Sequence, residues 1–136
     1  MLEQWEADRL LKLPKTYSLS LVVDLGPGVD DDHQVESSDG TEFFVLDVRV
    51  SRRNPRKARF QLRYRREIVL ARLCMSVPHS NPDGVLLGFP HLHLYKEDHG
   101  AKWAEQIDLQ ADAATGLEFF CEKINLPSPN IQGGLT

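Results

Sequence analysis

The spacing of apolar residues changes along this chain, and each change marks a different element. Over residues 2–13, Leu2, Trp5, Leu10, Leu11 and Leu13 recur among acids, a helical spacing that stops near Pro14. Residues 17–25 alternate in part around Leu21-Val22-Val23 and read as a first strand. Residues 26–40, rich in Gly, Asp and Ser, read as a turn or solvated acidic loop that also carries His33. Its Asp30-Asp31-Asp32 run lacks the ordered oxygen-ligand spacing of a calcium loop.

Residues 41–51, dense in Phe, Val and Leu, make the clearest strand, and Asn54-Pro55 turns the chain. Residues 58–66 alternate Phe60, Leu62 and Tyr64 against Gln61, Arg63 and Arg65, which predicts a half-buried strand with a basic outer face. Residues 68–77 and 91–97 supply two more strands, separated by the turn Asn81-Pro82-Asp83-Gly84. Residues 112–124 return to helical spacing, with Leu117, Phe120, Cys121 and Ile124 on one stripe that ends before Pro127.

The order is helix, about five strands, helix. Linkers within residues 41–77 are too short for helical crossovers, so those strands pair as an antiparallel meander. The expected fold is a single α+β domain over residues 1–126, with N-terminal and C-terminal helices on one face of a mainly antiparallel sheet. Residues 127–136 offer only Ile131 and Leu135 as apolar anchors and read as a loose tail.

Composition narrows the class. The chain has 136 residues, 41% apolar and 26% charged, enough for one modest core and too few for two ordinary domains. No apolar run approaches the roughly 20 residues that cross a bilayer, and the acidic, amphipathic start differs from a secretory leader. Cys74 and Cys121 both sit in apolar settings without a CxxC pair, so two reduced, buried thiols and a cytosolic location are expected.

The net charge of −4 hides a segregation. Residues 49–72 hold ten of the 16 basic residues and a single acid, Glu67, whereas residues 1–48 hold eleven acids against three bases. Such a basic segment attracts phosphate or an acidic partner, or is covered by the acidic segment within the fold. Its arginines favour forked, bidentate contacts.

The chemistry concentrates in Pro78-His79-Ser80-Asn81-Pro82-Asp83-Gly84 and Pro90-His91-Leu92-His93-Leu94-Tyr95-Lys96-Glu97, which hold three of the five histidines. Strand alternation puts His91, His93, Tyr95 and Glu97 on one face and Leu92 and Leu94 on the other. Together with Gly100-x-x-Trp103-Ala104, these runs resemble a family of small bacterial and phage proteins of unknown function. The resemblance covers roughly residues 60–108 and implies one structural or functional unit, without supplying an activity.

Three readings follow from the residues. In the first, the protein is a phosphate-directed RNA-binding or RNA-processing protein, toxin-like in size. His91, His93 and His79 act as acid–base groups with Tyr95 as a hydrogen-bond donor, and Arg63, Arg65, Arg52, Arg53 and Arg56 hold phosphate. In the second, His79, His91 and His93, with Asp83 as a carboxylate, bind zinc or another divalent transition metal. Glu97 is excluded from that shell, because a strand would carry it about 20 Å from His91. In the third, the basic face receives an acidic protein partner without chemistry.

Overall fold

The computed structural model describes residues 2–17, 21–109 and 112–133. The chain runs α1 (Gln4–Lys12), β1 (Lys15–Thr16), β2 (Val22–Asp24), β3 (Asp30–Ser37), β4 (Phe43–Val50), β5 (Ala58–Tyr64), β6 (Ile68–Cys74), β7 (His79–Ser80), β8 (Leu86–Leu87), β9 (His91–Leu94), β10 (Ala104–Gln106), α2 (Ala113–Lys123) and β11 (Asn130–Gln132). Seven strands form one sheet in the order β1-β3-β4-β5-β6-β9-β10, antiparallel at every pairing. β7 and β8 make a separate hairpin, and β11 pairs parallel with β2. The fold is the expected α+β domain with a helix near either end.

Alternation sorts the two faces of the sheet. Leu46 and Val48 of β4, Phe60 and Leu62 of β5, Leu73 of β6 and Leu92 of β9 enter one core with Ala7, Leu10 and Leu11 of α1 and Leu117, Phe120 and Cys121 of α2. Each helix starts on its own chemistry. Glu3 and Glu6 form a reciprocal capping box for α1, and the Asp112 carboxylate accepts from the Thr115 backbone N–H at 2.8 Å for α2. Gly116 lets α2 lie close on the sheet, since a Cβ there would collide with the Met75 sulfur.

Lys15, 2% exposed, joins the two helix ends. Its ammonium donates to the carbonyls of Leu11 at 3.0 Å, Leu13 at 2.9 Å and Ile124 at 2.6 Å, groups that a helix end leaves unsatisfied. Burial pulls its pKa down to about 8.

Two expectations need correction. Residues 30–37 are a strand rather than a solvated loop, because β3 pairs along β4 from Asp30↔Arg49 to Glu36↔Phe43 and buries Val35. Its acids meet the basic segment: Asp30 pairs with Arg49 at 2.9 Å, and Asp32 lies 3.7 Å from Arg63. The segment read as a loose tail contributes β11, whose Ile131 pairs with Val23. Residues 18–20 of the expected first strand, and 134–136 of the tail with Leu135, lie outside the described residues.

Both cysteines are free and buried, and burial pushes the Cys121 thiol up to about 12, which keeps it protonated and unreactive. No helix among the described residues is long and apolar enough to cross a membrane.

Candidate metal centre

The sheet face turned away from the helices carries the polar residues of β4, β5, β6 and β9. Register sets their neighbours: Cys74 stands across from Arg59 on one side and His91 on the other, and Arg72 stands between Gln61 and His93. His91 and His93, two residues apart on β9, therefore project together on this face. Both are only 2% exposed.

His79 reaches the same place by a different route. After β6 the chain leaves the sheet, and the β7–β8 hairpin places His79 opposite Leu87. Its turn is shaped as the sequence suggests. Gly84 adopts φ +86°, its N–H donates to the Asn81 carbonyl at 2.8 Å, and the Asp83 carboxylate accepts from the Val85 N–H at 3.0 Å. The Asn81 side chain fastens the hairpin to the sheet. Its amide nitrogen donates to the Ala104 carbonyl, and its amide oxygen accepts from the Ala104 N–H, both at 2.9 Å. Asn81 thus imitates a neighbouring strand along β10, the terminal strand of the sheet, and covers part of its edge.

The result is a compact trio. The ring centroids lie 5.4 Å apart for His79 and His91, 4.6 Å for His79 and His93, and 4.9 Å for His91 and His93. One ring nitrogen from each residue lies within 4.8 Å of the other two. One nitrogen of each ring is engaged by backbone. His91 Nδ1 is 2.9 Å from the Gly88 carbonyl, His93 Nδ1 2.6 Å from that of Ala101, and His79 Nε2 2.7 Å from that of Lys102.

A carbonyl oxygen only accepts, so each of these nitrogens carries the proton and donates. In the neutral rings the lone pairs are then on Nε2 of His91, Nε2 of His93 and Nδ1 of His79. This division, with one nitrogen protonated toward backbone and the other free, is how proteins orient imidazole ligands. Electrostatics reinforces it. Burial first, and then the neighbouring His79 and Arg72, hold His91 below its ordinary value. Burial and the Arg72 charge bring His93 down to about 4, so both rings are neutral at physiological pH and ready to ligate.

The other expected participants are elsewhere. β9 ends at Leu94, and Tyr95 turns into the core with its hydroxyl donating to the Leu2 carbonyl at 2.6 Å. The expectation that Tyr95 and Glu97 share the histidine face is therefore corrected. The Gln4 side chain binds the Tyr95 carbonyl at 3.0 Å, and the Glu97 carboxylate accepts from the Gln4 N–H at 3.0 Å, so α1 draws both away. Asp83 is exposed in its turn and is not among the groups that converge with the histidines.

The arginines do not form one patch. Arg63 grips Asp47 through a fork, Nε to Oδ2 at 2.7 Å and Nη2 to Oδ1 at 2.8 Å. Arg52, Arg53 and Arg56 lie in the turn before β5, whereas Arg65 lies in the turn after it, over the Tyr64 ring.

Sequence reasoning singled out the three histidines but passed over Arg72 and Asn81 as site residues. Strand alternation puts Arg72 on the polar face, yet only the β6–β9 register places it beside His93. The carbonyls of Gly88, Ala101 and Lys102 carry no side-chain signal at all.

Comparison with protein families places residues 2–126 in a family of unknown function, DUF6978. The chain belongs to that family. No curated protein and no solved structure matches it. Family membership brings no assigned activity, so the reading of the site rests on its own chemistry.

Proposed function

We propose that this protein binds a divalent transition metal, with zinc the best fit, through His79, His91 and His93. The observation that carries the reading is the convergence of three imidazoles, one nitrogen from each within 4.8 Å of the others, with one nitrogen of every ring donating to a backbone carbonyl. Ligands about 2.0–2.1 Å from zinc in a tetrahedron stand roughly 3.4 Å apart, so a small inward closure of the rings suffices. Three neutral nitrogen ligands suit zinc and its first-row neighbours, and oxygen-seeking magnesium or calcium poorly. They also leave at least one position for water or another ligand, the pattern of a reactive rather than a purely structural site.

The RNA-directed reading has less behind it. Arg63 is spent on Asp47, and the other named arginines divide between two turns. Depressed histidine pKa values also suit ligands better than a general acid at neutral pH.

Calorimetric titration of zinc into the metal-stripped chain tests the proposal. The expected result is one site per chain, with binding lost in the His91→Ala/His93→Ala double variant while that variant keeps its far-ultraviolet circular dichroism. Wild-type protein that takes up no zinc, nickel or cobalt would refute it.

A further inference from the structure

Arg72 is set directly beside the histidine trio, and among the described residues it forms no ion pair with a carboxylate. It stands across from His93 on β6, and its Nη2 shares the Ala101 carbonyl with His93 Nδ1, at 3.4 Å against 2.6 Å. Its other bond, Nη1 to the Gln61 oxygen, is 3.5 Å long. Both are well beyond the roughly 2.9 Å of a strong N–H···O bond. Among the described residues neither Arg72 nor Arg59 forms an ion pair with a carboxylate, although Arg9, Arg49 and Arg63 each do.

Arg59 stands opposite Cys74, one cross-strand pair along the same sheet face from Arg72, and both arginines are half-buried. Arg59 also lines a shallow groove of about 290 Å³ with Lys57 and Cys74, and Cys74 is the residue directly across from His91. The cationic row therefore leads up to the trio.

We infer that the open position of the metal takes an oxyanion, a phosphoryl or carboxylate group, whose second oxygen is held by the Arg72 guanidinium with Arg59 behind it. The inference rests on the metal reading above and names the ligand class of that same site. A dication held by three neutral imidazoles keeps its full charge, and two adjacent guanidiniums add to it. Among the described residues, no carboxylate converges with the histidines. A bridging oxyanion satisfies both the metal and the arginine, and the planar guanidinium fork matches two oxygens of one such group.

The opposite signs of two effects make this testable. Arg72→Gln removes a positive charge from beside a cation site, so cobalt should bind the variant as tightly as wild type or more tightly. The same substitution should weaken the anion at least tenfold. Cobalt-loaded full-length protein is titrated with inorganic phosphate and, separately, with acetate, following the visible absorption of the ion. Arg53→Gln, in the exposed turn before β5, controls for general charge, and Arg72→Lys serves if the glutamine variant does not fold.

Support is a saturable spectral change in wild type and Arg53→Gln that weakens at least tenfold in Arg72→Gln, or weakens in Arg72→Lys through loss of the fork. Tighter phosphate than acetate assigns a phosphoryl ligand, and the reverse order assigns a carboxylate. Cobalt that binds but responds to neither anion, or responds equally in the Arg72 variants, overturns the inference and leaves the metal reading standing. Failure of cobalt to bind wild-type protein sinks both.

Discussion

Two polar clusters share the sheet face turned away from the helices, and they are built on opposite plans. Toward β3, Asp47 is 2% exposed and receives a fork from Arg63 together with the Gln61 amide at 2.8 Å. Toward β10, His91 and His93 are equally buried, but they face His79 and Arg72, which has no carboxylate partner among the described residues. In the first cluster every oxygen has its donor, and nothing remains to offer a ligand. In the second, three lone pairs and one guanidinium remain available. Burial alone does not mark a site. Convergent lone pairs set beside a cation do, because together they can hold a metal and its ligand.

The comparison predicts that the two clusters respond oppositely to zinc. At a thousandfold excess over Kd, zinc should stabilise wild type by about 4 kcal/mol. Asp47→Ala should gain the same increment, and His91→Ala/His93→Ala none. Thermal melts with and without zinc read this directly, and equal gains in all three proteins would erase the distinction.

Without metal the ranking reverses. Asp47→Ala strands the Arg63 guanidinium and should cost about 3 kcal/mol, near the low end for a broken buried pair because Arg63 is partly exposed. His93→Ala should cost less, about 1–2 kcal/mol for a cavity and one freed carbonyl. Urea unfolding in the presence of a chelator measures both.

The clusters should also fail at different acidities. His93 has a folded-state pKa of about 4, below its ordinary 6.5, so the folded state binds fewer protons than the unfolded one in that window. Stability is then complete above pH 6.5 and falls as the pH drops toward 4, by roughly 2–3 kcal/mol. For Asp47, burial pushes the carboxyl up, but the bonds from Arg63 and its other partners outweigh it and leave the pKa below 3.8. Its contribution survives to that value and is lost only below it. His93→Ala should flatten the slope between pH 6.5 and 4 in metal-free protein and leave the steeper acid limb intact. An unchanged upper slope would contradict the buried neutral imidazole.

Asn81 tests whether the hairpin delivers His79. Asn81→Ala removes two bonds to Ala104 and should cost about 2 kcal/mol. Zinc affinity should also drop 10–100-fold, as for residues that orient ligands. A stability loss with unchanged zinc affinity would show that His79 is held in place without this clamp.

A smaller effect lies outside both clusters. Arg65 and Arg66, in the turn between β5 and β6, have φ of 51° and 67°, where Asn and Gly are favoured. Arg65→Asn/Arg66→Gly should stabilise the chain by about 1 kcal/mol without changing zinc affinity, checked by urea unfolding and zinc titration.

Much of this architecture is legible in the sequence because it follows from local periodicity. α1, α2 and strands β4, β5, β6 and β9 follow the helical and alternating apolar patterns. β3 does not: Asp30, Asp31 and Asp32 give it the look of a loop, and only pairing with β4 beside Arg49 and Arg63 makes it a strand. The site divides the same way. His91 and His93 are a two-residue spacing on a strand, and His79 is flagged by the dense turn that follows it. Arg72 becomes a neighbour only through register, and Tyr95 departs because its hydroxyl reaches the Leu2 carbonyl just before α1. Cross-strand and cross-element partners are set by tertiary structure, which a linear pattern does not encode.

The most direct test of the central claim is the metal content of the untagged chain, measured by elemental mass spectrometry after native purification beside the His91→Ala/His93→Ala variant. The account predicts close to one transition-metal ion per chain, with zinc foremost, and almost none in the variant. Equal metal in the two proteins, or a metal-free wild type that also refuses added zinc, would contradict it.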